Sequence, residues 1–322
     1  MGDLFISLDI GGSKILGAVF NERNEILCRV KKKTKPEQGC GAVDGRIKEV
    51  IEELIVTSGM DRVELKAIGA GAPGVIDTEN GNIIYAPNIP WKDHPIGKVM
   101  EDAFQVPFIV GNDVNVGVLG EWKYGAAKGY SHVVGIFVGT GIGGGIIIDD
   151  KLFTGSRFAG AEVGHMIINT EGPQCNCGQK GCLEAYSSKI AITREIKSGI
   201  AMGIPSILSD ALSGKDAVIK SGALKAAVDE GDQLAESALE RAVYYLAAGA
   251  GNLINIFNPE VLILGGGVME ALEDNILPLF NRYIKRFAWP AMLSGVDIKA
   301  SKLKDDAILY GARALISETS GY

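Results

Sequence analysis

The chain lacks long apolar runs, a surplus of basic residues and an even number of cysteines. The apolar run after Leu4 ends at Asp9, and no stretch approaches the ~20 apolar residues of a membrane-spanning helix. The 32 lysines and arginines are outnumbered by 39 aspartates and glutamates, whereas nucleic-acid binding needs clustered basic side chains. We therefore predict a cytoplasmic protein with neither a nucleic-acid partner nor a membrane partner.

Glycine is abundant, with 43 residues, and histidine is scarce, with three. The 47% apolar and 22% charged residues are typical of a globular protein and exclude disorder and fibres. A length of 322 residues fits two domains better than one. Glycines that cluster after apolar runs indicate that the backbone passes close to a ligand.

The five cysteines predict a metal site rather than a disulfide framework. Cys28 and Cys40 are isolated in the sequence, but the other three form the pattern His165-x9-Cys175-x-Cys177-x4-Cys182. Three thiolates and one imidazole fill the tetrahedral shell of a zinc ion and leave no open position, so the zinc would be structural. The alternative interpretation is three free cysteines in a loop.

The order of strands and helices predicts two related α/β halves. A strand at residues 4–10, a glycine turn and a returning strand at 15–20 open the chain. The same pattern recurs with a strand at 132–138, a glycine turn at 139–145 and a strand at 146–148. Apolar spacing predicts helices at 43–57, 113–124, 183–197, 233–257 and 306–316. We expect a small α/β domain from residues 1–111 plus 301–322, and a large domain from 112–300 that carries the zinc loop.

Three glycine turns follow predicted strands, at residues 9–14, 139–145 and 264–268. Backbone amides in such turns can converge on phosphate oxygens, and Asp9 at a strand end can hold Mg²⁺ through waters. The alternative is three tight hairpins, with Asp9 capping its own turn. Residues 139–144 match the dinucleotide pattern GxGxxG, but the β-branched residues 146–148 favour a strand where that motif needs a helix. No P-loop pattern occurs.

Carboxylates flank the predicted zinc ligands. Glu162 precedes His165 by three residues, and Glu184 follows Cys182 by two. Singly each is a surface carboxylate, but a metal-fixed loop would make both rigid acceptors for paired sugar hydroxyls. Asn112 and Asp113 lie between a strand and a helix, which suits either an N-cap or a carboxylate that accepts a proton from a hydroxyl. With an ordinary pKa near ~3.9, Asp113 would be ionised at pH 7.

These residues resemble the ROK family (repressors, open reading frames, sugar kinases), and within it the bacterial glucokinases. The most specific match is Glu162-x-Gly164-His165 together with CNCGQKGCLE at residues 175–184. The glycine motifs alone are less specific. The matching segments span nearly the whole chain in family order, at residues 8–14, 71–77, 86–91, 112–115, 139–145, 162–165, 175–184 and 264–267.

The resemblance implies an actin-like, ribonuclease H-like ATPase fold of the α/β class, with two lobes around a central cleft. It implies ATP and Mg²⁺ as cofactors, a structural Zn²⁺ and a hexose as partner. The nucleotide contacts it implies are Asp9, Gly11, Gly12, Ser13, Lys14, Thr140, Gly141, Gly265, Gly266 and Gly267. The hexose contacts it implies are Gly74, Asn88, Asn112, Asp113, Glu162, His165 and Glu184. The zinc ligands are His165, Cys175, Cys177 and Cys182.

We therefore expect an ATP-dependent hexokinase that phosphorylates glucose at O6, with Asp113 as general base, acting as a dimer or tetramer. The alternative within the family is an N-acetylmannosamine kinase. A sugar-sensing repressor is disfavoured because only three residues precede Leu4, which leaves no room for a DNA-binding segment. Two positions depart from the glucokinase pattern: Ser13 replaces the commoner threonine, and Gly111 stands where glutamate is usual.

Overall fold

The computed structural model describes residues 2–320, so residues 1, 321 and 322 of the predicted small domain lie outside the described part. The strands are β1 (Leu4–Ile10), β2 (Lys14–Phe20), β3 (Ile26–Lys33), β4 (Leu65–Ala72), β5 (Val75–Asp77), β6 (Asn82–Tyr85), β7 (Lys92–His94), β8 (Phe108–Asn112), β9 (Val133–Val138), β10 (Ile142–Ile148), β11 (Lys151–Leu152), β12 (Val261–Gly265) and β13 (Asp297–Ala300). The helices are α1 (Cys40–Ser58), α2 (Ile96–Phe104), α3 (Asp113–Tyr124), α4 (Glu184–Ser187), α5 (Lys189–Ala201), α6 (Ser221–Asp229), α7 (Gln233–Phe257), α8 (Gly267–Tyr283), α9 (Pro290–Leu293) and α10 (Ala307–Ser320).

Two five-stranded sheets share one topology, as the repeated sequence pattern predicts. Their orders are β3-β2-β1-β4-β8 and β11-β10-β9-β12-β13. In each sheet an antiparallel hairpin, β1–β2 or β9–β10, is followed by two parallel pairings, which need crossover connections. The hairpin turns and the carboxyl ends of the parallel strands therefore occupy equivalent places in the two halves.

The sheets and helices form layers. Helix α1 packs on β2 and β3, and α2 packs on β8. Helices α3 and α10 lie between the two sheets, where their apolar residues join Phe5 and Ala18 of the first sheet and Val133 and Ile147 of the second in one core cluster. The apolar faces of α5–α8 cover the far side of the second sheet. No helix of residues 2–320 is long and apolar enough to cross a membrane.

Glycines allow α3 and α10 to touch backbone to backbone. A Cβ at Gly311 of α10 would lie 1.7 Å from the carbonyl oxygen of Val116, and one at Gly120 of α3 would lie 2.2 Å from that of Ala307. Real Cβ atoms do not approach a carbonyl oxygen this closely, so any side chain would force the helices apart. This crossing places the start of α3 between the sheets.

We predict that Gly311→Ala lowers the free energy of unfolding by roughly 2–3 kcal/mol or more, because the backbone of α3 cannot yield. Urea unfolding followed by circular dichroism measures the change. The matched control is Gly222→Ala in α6, where a Cβ meets nothing within 4 Å. That variant should be unchanged or up to ~1 kcal/mol more stable, because alanine favours helix. Equal midpoints for the two variants would contradict the close crossing.

Three local predictions were wrong. Residues 143–145 belong to β10 and not to a turn, because they pair with residues 135–137 of β9; glycine is needed at 143 and 145 because a Cβ there would lie 2.5–2.7 Å from valines of α3. The predicted helix 183–197 is two helices, because Ser188 is extended and caps α5 by accepting a hydrogen bond from Ala191 N. Helix α8 was missed; it begins at Gly267, directly after the third glycine turn.

Candidate active site

The first glycine turn is closed by its own backbone and braced by a threonine from β3's end. Gly11 N donates to Lys14 O at 2.9 Å, which makes the turn tight. Thr34 Oγ1 donates to Gly11 O at 2.6 Å, and Thr34 N donates to Ser13 O at 3.1 Å. Ser13 is exposed, and the other turn residues are half-buried. The sequence reasoning missed Thr34, since nothing in its neighbourhood marks it as a brace for a turn 20 residues upstream.

Asp9 is a buried carboxyl group at the end of β1, 9% exposed. Burial is the main reason that its pKa is raised to about 7; the negative charges of Asp113 and Asp305 contribute to the rise, and Lys14 acts in the opposite direction. The nearby charges belong to three separate parts of the chain, the first turn, the start of α3 and the loop after β13. Asp9 therefore lies where these parts converge, and a cation there would favour its ionised form.

The second and third glycine turns lie side by side. Gly139 N donates to Gly141 O at 2.9 Å, and Thr140 at the tip is exposed. Gly266, with φ +87°, lies against Val138 at the end of β9, where a Cβ would come within 2.6 Å of the backbone. Helix α8 starts at the next residue. Its free backbone N–H groups thus lie beside the 139–141 turn, an arrangement that suits anions.

The start of α3 brings together three of the predicted site residues. Asn112 caps the helix, accepting hydrogen bonds from Val114 N and Asn115 N, and its amide nitrogen donates to Gly74 O at 3.0 Å. Gly74 needs to be glycine, because its φ is +103° and a Cβ would lie 2.0 Å from Tyr85 O. The N-cap interpretation therefore holds for Asn112, which leaves Asp113 available for chemistry.

Asn88 is exposed on the segment that follows β6, next to the first glycine turn. A Cβ at Gly12 would lie 3.0 Å from the Asn88 Cβ. The same segment approaches Gly74, since the Tyr85 and Ala86 backbone lies against it. The structure thus brings Gly12 and Asn88 together and places Gly74 against the start of the same segment.

Asp113 is a half-buried carboxyl group whose pKa is raised to about 6. Burial is the main cause and the charge of Glu162 adds to it, while the hydrogen bond from Val114 N, at 2.9 Å, acts the other way. The expectation of an ordinary pKa was therefore wrong, because the sequence cannot show this burial. At pH 7 the group is still mostly ionised.

Glu162 and Glu184 approach the same region from the second half. Loss of solvent raises the Glu162 pKa, His165 lowers it and Glu184 raises it. Glu184 begins α4, and its Oε2 accepts a hydrogen bond from Ile142 N at 2.9 Å. A side chain at Gly141 would collide with that oxygen at 2.3 Å. Glu184 therefore joins the hexose-side residues to the second glycine turn.

The residues of the predicted metal pattern converge. One ligand atom from each of His165, Cys175, Cys177 and Cys182 lies within 4.8 Å of the others. The Cys177 and Cys182 sulfurs are 3.6 Å apart, and Cys175 Sγ is 3.8 Å from His165 Nδ1. Cys175 and Cys182 are buried, whereas His165 is exposed. Three sulfurs and one imidazole nitrogen are a donor set that fits tetrahedral zinc.

Comparison with known proteins identifies the family. Residues 5–319 match the model of the ROK family. The chain belongs to the ROK family. It is 36% identical to a glucokinase of Thermotoga maritima over 98% of both chains. Among solved structures, a ROK family glucokinase from Streptomyces griseus in complex with glucose and AMPPNP is 30% identical, with a TM-score of 0.81 over 96% of this chain and 97% of that one. A ROK family transcriptional regulator, a homologue of E. coli Mlc, is 28% identical with a TM-score of 0.86, over 99% of this chain and 78% of that one.

Membership of the ROK family gives the fold its name: the two matching sheets are the halves of an actin-like ATPase fold.

One departure from the glucokinase pattern has a packing basis. Gly111 is buried in β8, and a Cβ there would lie 2.9 Å from Val116 of α3 and 3.4 Å from Leu315 of α10. A larger residue would have to displace the same interhelical layer that holds Asp113.

Glu121 is a buried residue of α3 that the sequence reasoning missed. Its carboxylate accepts hydrogen bonds from Ser301 Oγ at 2.6 Å, Leu303 N at 2.7 Å and Ala126 N at 2.7 Å. It therefore ties the helix that begins at Asp113 to the loop that carries Asp305, one of the charges acting on Asp9. A glutamate in an apolar helix gives no sequence signal for such a distant loop contact.

Proposed function

We propose that this ROK family protein is an ATP-dependent hexokinase that transfers the γ-phosphoryl group of ATP to O6 of glucose. The observation that carries the proposal is the position of Asp113. Its charge acts on Asp9, at the predicted nucleotide turn, and the charge of Glu162, on the predicted hexose side, acts on Asp113. One carboxylate thus lies between the two sets of residues, where a hydroxyl and a phosphoryl group would have to meet.

In this mechanism Asp113 accepts the proton of the glucose 6-hydroxyl. O6 forms a bond to the γ-phosphorus, the bond from that phosphorus to the bridging oxygen breaks, and ADP leaves. The Val114 N–H, 2.9 Å from Asp113 Oδ1, holds the carboxylate in orientation. With a pKa of about 6, the group is ionised at pH 7 and yet basic enough to take a proton.

On the nucleotide side, backbone N–H groups of the glycine turns would contact the phosphates, and Asp9 would hold the metal through waters. When bound, Mg²⁺ neutralises charge on the β- and γ-phosphates. Lys14 is near enough to both Asp9 and Glu270 of α8 for its positive charge to oppose the rise in their pKa values. It therefore lies between the first turn and the helix beside the third turn, a position suited to the polyphosphate chain.

On the hexose side, the side chains differ in what they have left to offer. Asn112 has used its oxygen on α3 and one N–H on Gly74, so a single N–H remains for a hydroxyl. Glu184 Oε2 accepts a hydrogen bond from Ile142 N, and Oε1 is 3.7 Å from Cys175 Sγ, so each oxygen keeps only part of its acceptor capacity for a hydroxyl. Glu162, His165 and Asn88 are exposed and can bond hydroxyls directly. We propose that residues 1–111 with 301–322 close on residues 112–300 around the sugar.

We also propose that His165, Cys175, Cys177 and Cys182 hold a structural zinc, because the donor atoms already converge without an open position for substrate. Its effect on catalysis would run through the placement of Glu162, His165 and Glu184. His165 Nδ1 faces the sulfurs, at 3.8 Å from Cys175 Sγ, which leaves Nε2 for a sugar hydroxyl.

Cys177→Ser is expected to lower the zinc content by about one ion per chain and to raise the KM for glucose at least ~10-fold, because the loop that places the hexose contacts loses its anchor. Mass spectrometry of the metal and steady-state kinetics measure both. The control is Cys28→Ser, which removes a half-buried thiol in the first half and should change neither. If the glucose KM is unchanged after the zinc is lost, the zinc does not position the hexose contacts.

The activity should fall at acid pH. The carboxylate form of Asp113 is the base, so kcat/KM should drop about tenfold per pH unit below an inflection near pH 6. Removing the Glu162 charge with Glu162→Gln should move that inflection to lower pH, since Glu162 raises the Asp113 pKa. The pH dependence of kcat/KM in both proteins tests this. If the inflection stays at the same pH in Glu162→Gln, it belongs to a group other than Asp113.

The deciding experiment is a hexose panel with Mg²⁺-ATP and detection of ADP. Glucose should give the highest kcat/KM, at least ~10-fold above mannose, fructose and N-acetylmannosamine. A preference for N-acetylmannosamine would establish the alternative kinase.

The similarity to the transcriptional regulator over 99% of this chain favours one second candidate, a sugar-sensing module. Glucose binding by calorimetry with no ADP release would support that module over the kinase.

A further inference from the structure

Cys40, which is isolated in the sequence, is not isolated in the fold. Cys40 and Asp44 are the first and fifth residues of α1, so they share one face of the helix. His94 of β7 lies opposite them. Cys40 Sγ is 3.5 Å from His94 Nδ1 and 3.9 Å from His94 Nε2, and that Nε2 is 3.1 Å from the Asp44 carboxylate. One ligand atom from each residue lies within 4.8 Å of the others.

Asp44 is a buried carboxyl group of α1. It is 8% exposed and accepts a hydrogen bond from Trp91 Nε1 at 3.2 Å. Within residues 2–320, its ion-pair partner at 4.0 Å or less is His94 alone. A carboxylate removed from water needs a compensating charge; the neutral indole N–H supplies none, so the charge comes either from a protonated His94 or from a bound cation. The cluster therefore has an electrostatic reason to take up a cation.

The imidazole is held in place before any cation arrives. The Trp91 and His94 rings stack, with centroids 5.7 Å apart and planes 8° from parallel. The Trp91 side chain is in turn fixed by its hydrogen bond to Asp44. Orientation of a ligand by its neighbours is what distinguishes a site from a chance encounter of side chains.

We propose that Cys40, Asp44 and His94 form a second zinc site, separate from the His165 cluster. Thiolate, imidazole and carboxylate are the three ligand types that zinc takes from proteins, and tetrahedral zinc holds N, O and S ligands roughly 3.3–3.6 Å apart. His94 Nε2 is 3.1 Å from the Asp44 carboxylate, and Cys40 Sγ is 3.5 Å from Nδ1 and 3.9 Å from Nε2 of the same ring. Zinc binding through Nε2 would therefore require the Cys40 thiol to move toward that nitrogen. The three protein ligands leave the fourth position to water.

The site would tie α1 to the segment that carries Asn88. That segment runs from Gly74 to His94, and Ala86 N donates to Trp91 O at 3.2 Å across the loop. A metal that joins His94 to α1 would therefore stabilise this loop against the first glycine turn. This inference stands on the cluster itself and does not depend on the proposed kinase activity.

The test is the zinc content of the purified, dialysed protein together with Co²⁺ titration of the metal-stripped full chain. We expect about two zinc ions per chain in the wild type and about one in Cys40→Ser, in His94→Gln and in Cys177→Ser. The double variant Cys40→Ser/Cys177→Ser should hold none. Cys28→Ser should keep both. In Cys177→Ser, the remaining Co²⁺ should give a thiolate charge-transfer band of single-thiolate intensity, and the double variant should lack it.

A wild type with one zinc that disappears in Cys177→Ser and persists in Cys40→Ser would overturn the proposal, and the three residues would then be a hydrogen-bonded cluster only. A wild type with one zinc that persists in Cys177→Ser and disappears in Cys40→Ser would instead support this site and remove the His165 site. The wild-type count of one or two zinc ions is independent of how any variant folds, and the variants then assign each zinc to its site.

Discussion

Asp113→Asn is expected to lower kcat by at least ~100-fold and to leave glucose affinity within a few-fold of the wild type, because general-base catalysis contributes roughly 10²–10⁴-fold. Asparagine keeps the shape of the side chain, and its oxygen can still accept the hydrogen bond from Val114 N. What it lacks is the capacity to take the proton from the attacking hydroxyl. Steady-state ADP production measures kcat, and calorimetry with glucose alone measures affinity.

The matched control is Asp229→Asn in α6, an exposed aspartate whose partner is Lys225. A surface pair of this kind contributes little, so this variant should retain full activity. A second readout follows from the charge itself. Because Asp113 raises the Asp9 pKa, Asp113→Asn should lower that pKa. If Asp113→Asn keeps more than a tenth of the wild-type kcat, Asp113 is not the general base.

Elements that depend on local pattern could be predicted from the sequence. Helices α3 and α7 begin and end where the apolar spacing places them, at Asp113–Tyr124 and Gln233–Phe257. Both have a polar residue at the N-cap, Asn112 and Asp232, whose side chain accepts backbone hydrogen bonds. The repeated hairpins likewise appear as two sheets of one topology. In these elements the local signal and the tertiary packing agree.

Elements that depend on distant packing could not be predicted. Gly143 and Gly145 look like turn residues, yet they pair with β9, and they are glycines because valines of α3 occupy the space of their side chains. Helix α8 begins at Gly267 after the N-cap Gly266 and has no side-chain cap, so its start has no local signal. Local pattern reports the conformations that a segment prefers, whereas these positions are set by partners far along the chain.

The candidate site divides in the same way. The residues proposed for nucleotide, hexose and zinc could be named from the sequence because each motif lies within a short segment of the chain. The braces Thr34 and Glu121 could not, since each acts on a segment far from its own motif. The Asp113 pKa was also beyond reach, because it depends on burial and on Glu162, 49 residues later in the chain.

Asp9→Asn is expected to stabilise the ligand-free fold and to impair turnover of Mg²⁺-ATP. Asp9 has a pKa raised to about 7 from 3.8, so the folded state holds its proton more tightly than the unfolded chain does. The stability that this proton binding supports is complete below pH ~4 and is lost as the pH rises through 7. Asparagine has no charge to bury, so we expect a gain of roughly 2–4 kcal/mol at pH 8 and about half of that or less at pH 5.

The charge whose removal stabilises the fold is the charge that turnover needs. If Asp9 holds Mg²⁺ through waters, the cation offsets the desolvation of the carboxylate when Mg²⁺ and nucleotide are bound. The wild type therefore keeps a buried charge that destabilises the ligand-free fold but serves function. Asp9→Asn should therefore lose at least ~10-fold in kcat/KM for Mg²⁺-ATP while its unfolding midpoint rises. Urea unfolding at pH 5 and pH 8, without nucleotide, and ATP kinetics give the two measurements. Asp274→Asn, an exposed position on α8, should change neither. A variant that is stabilised equally at both pH values would show that the gain is not electrostatic, and one that keeps full ATP kinetics would remove Asp9 from the metal site.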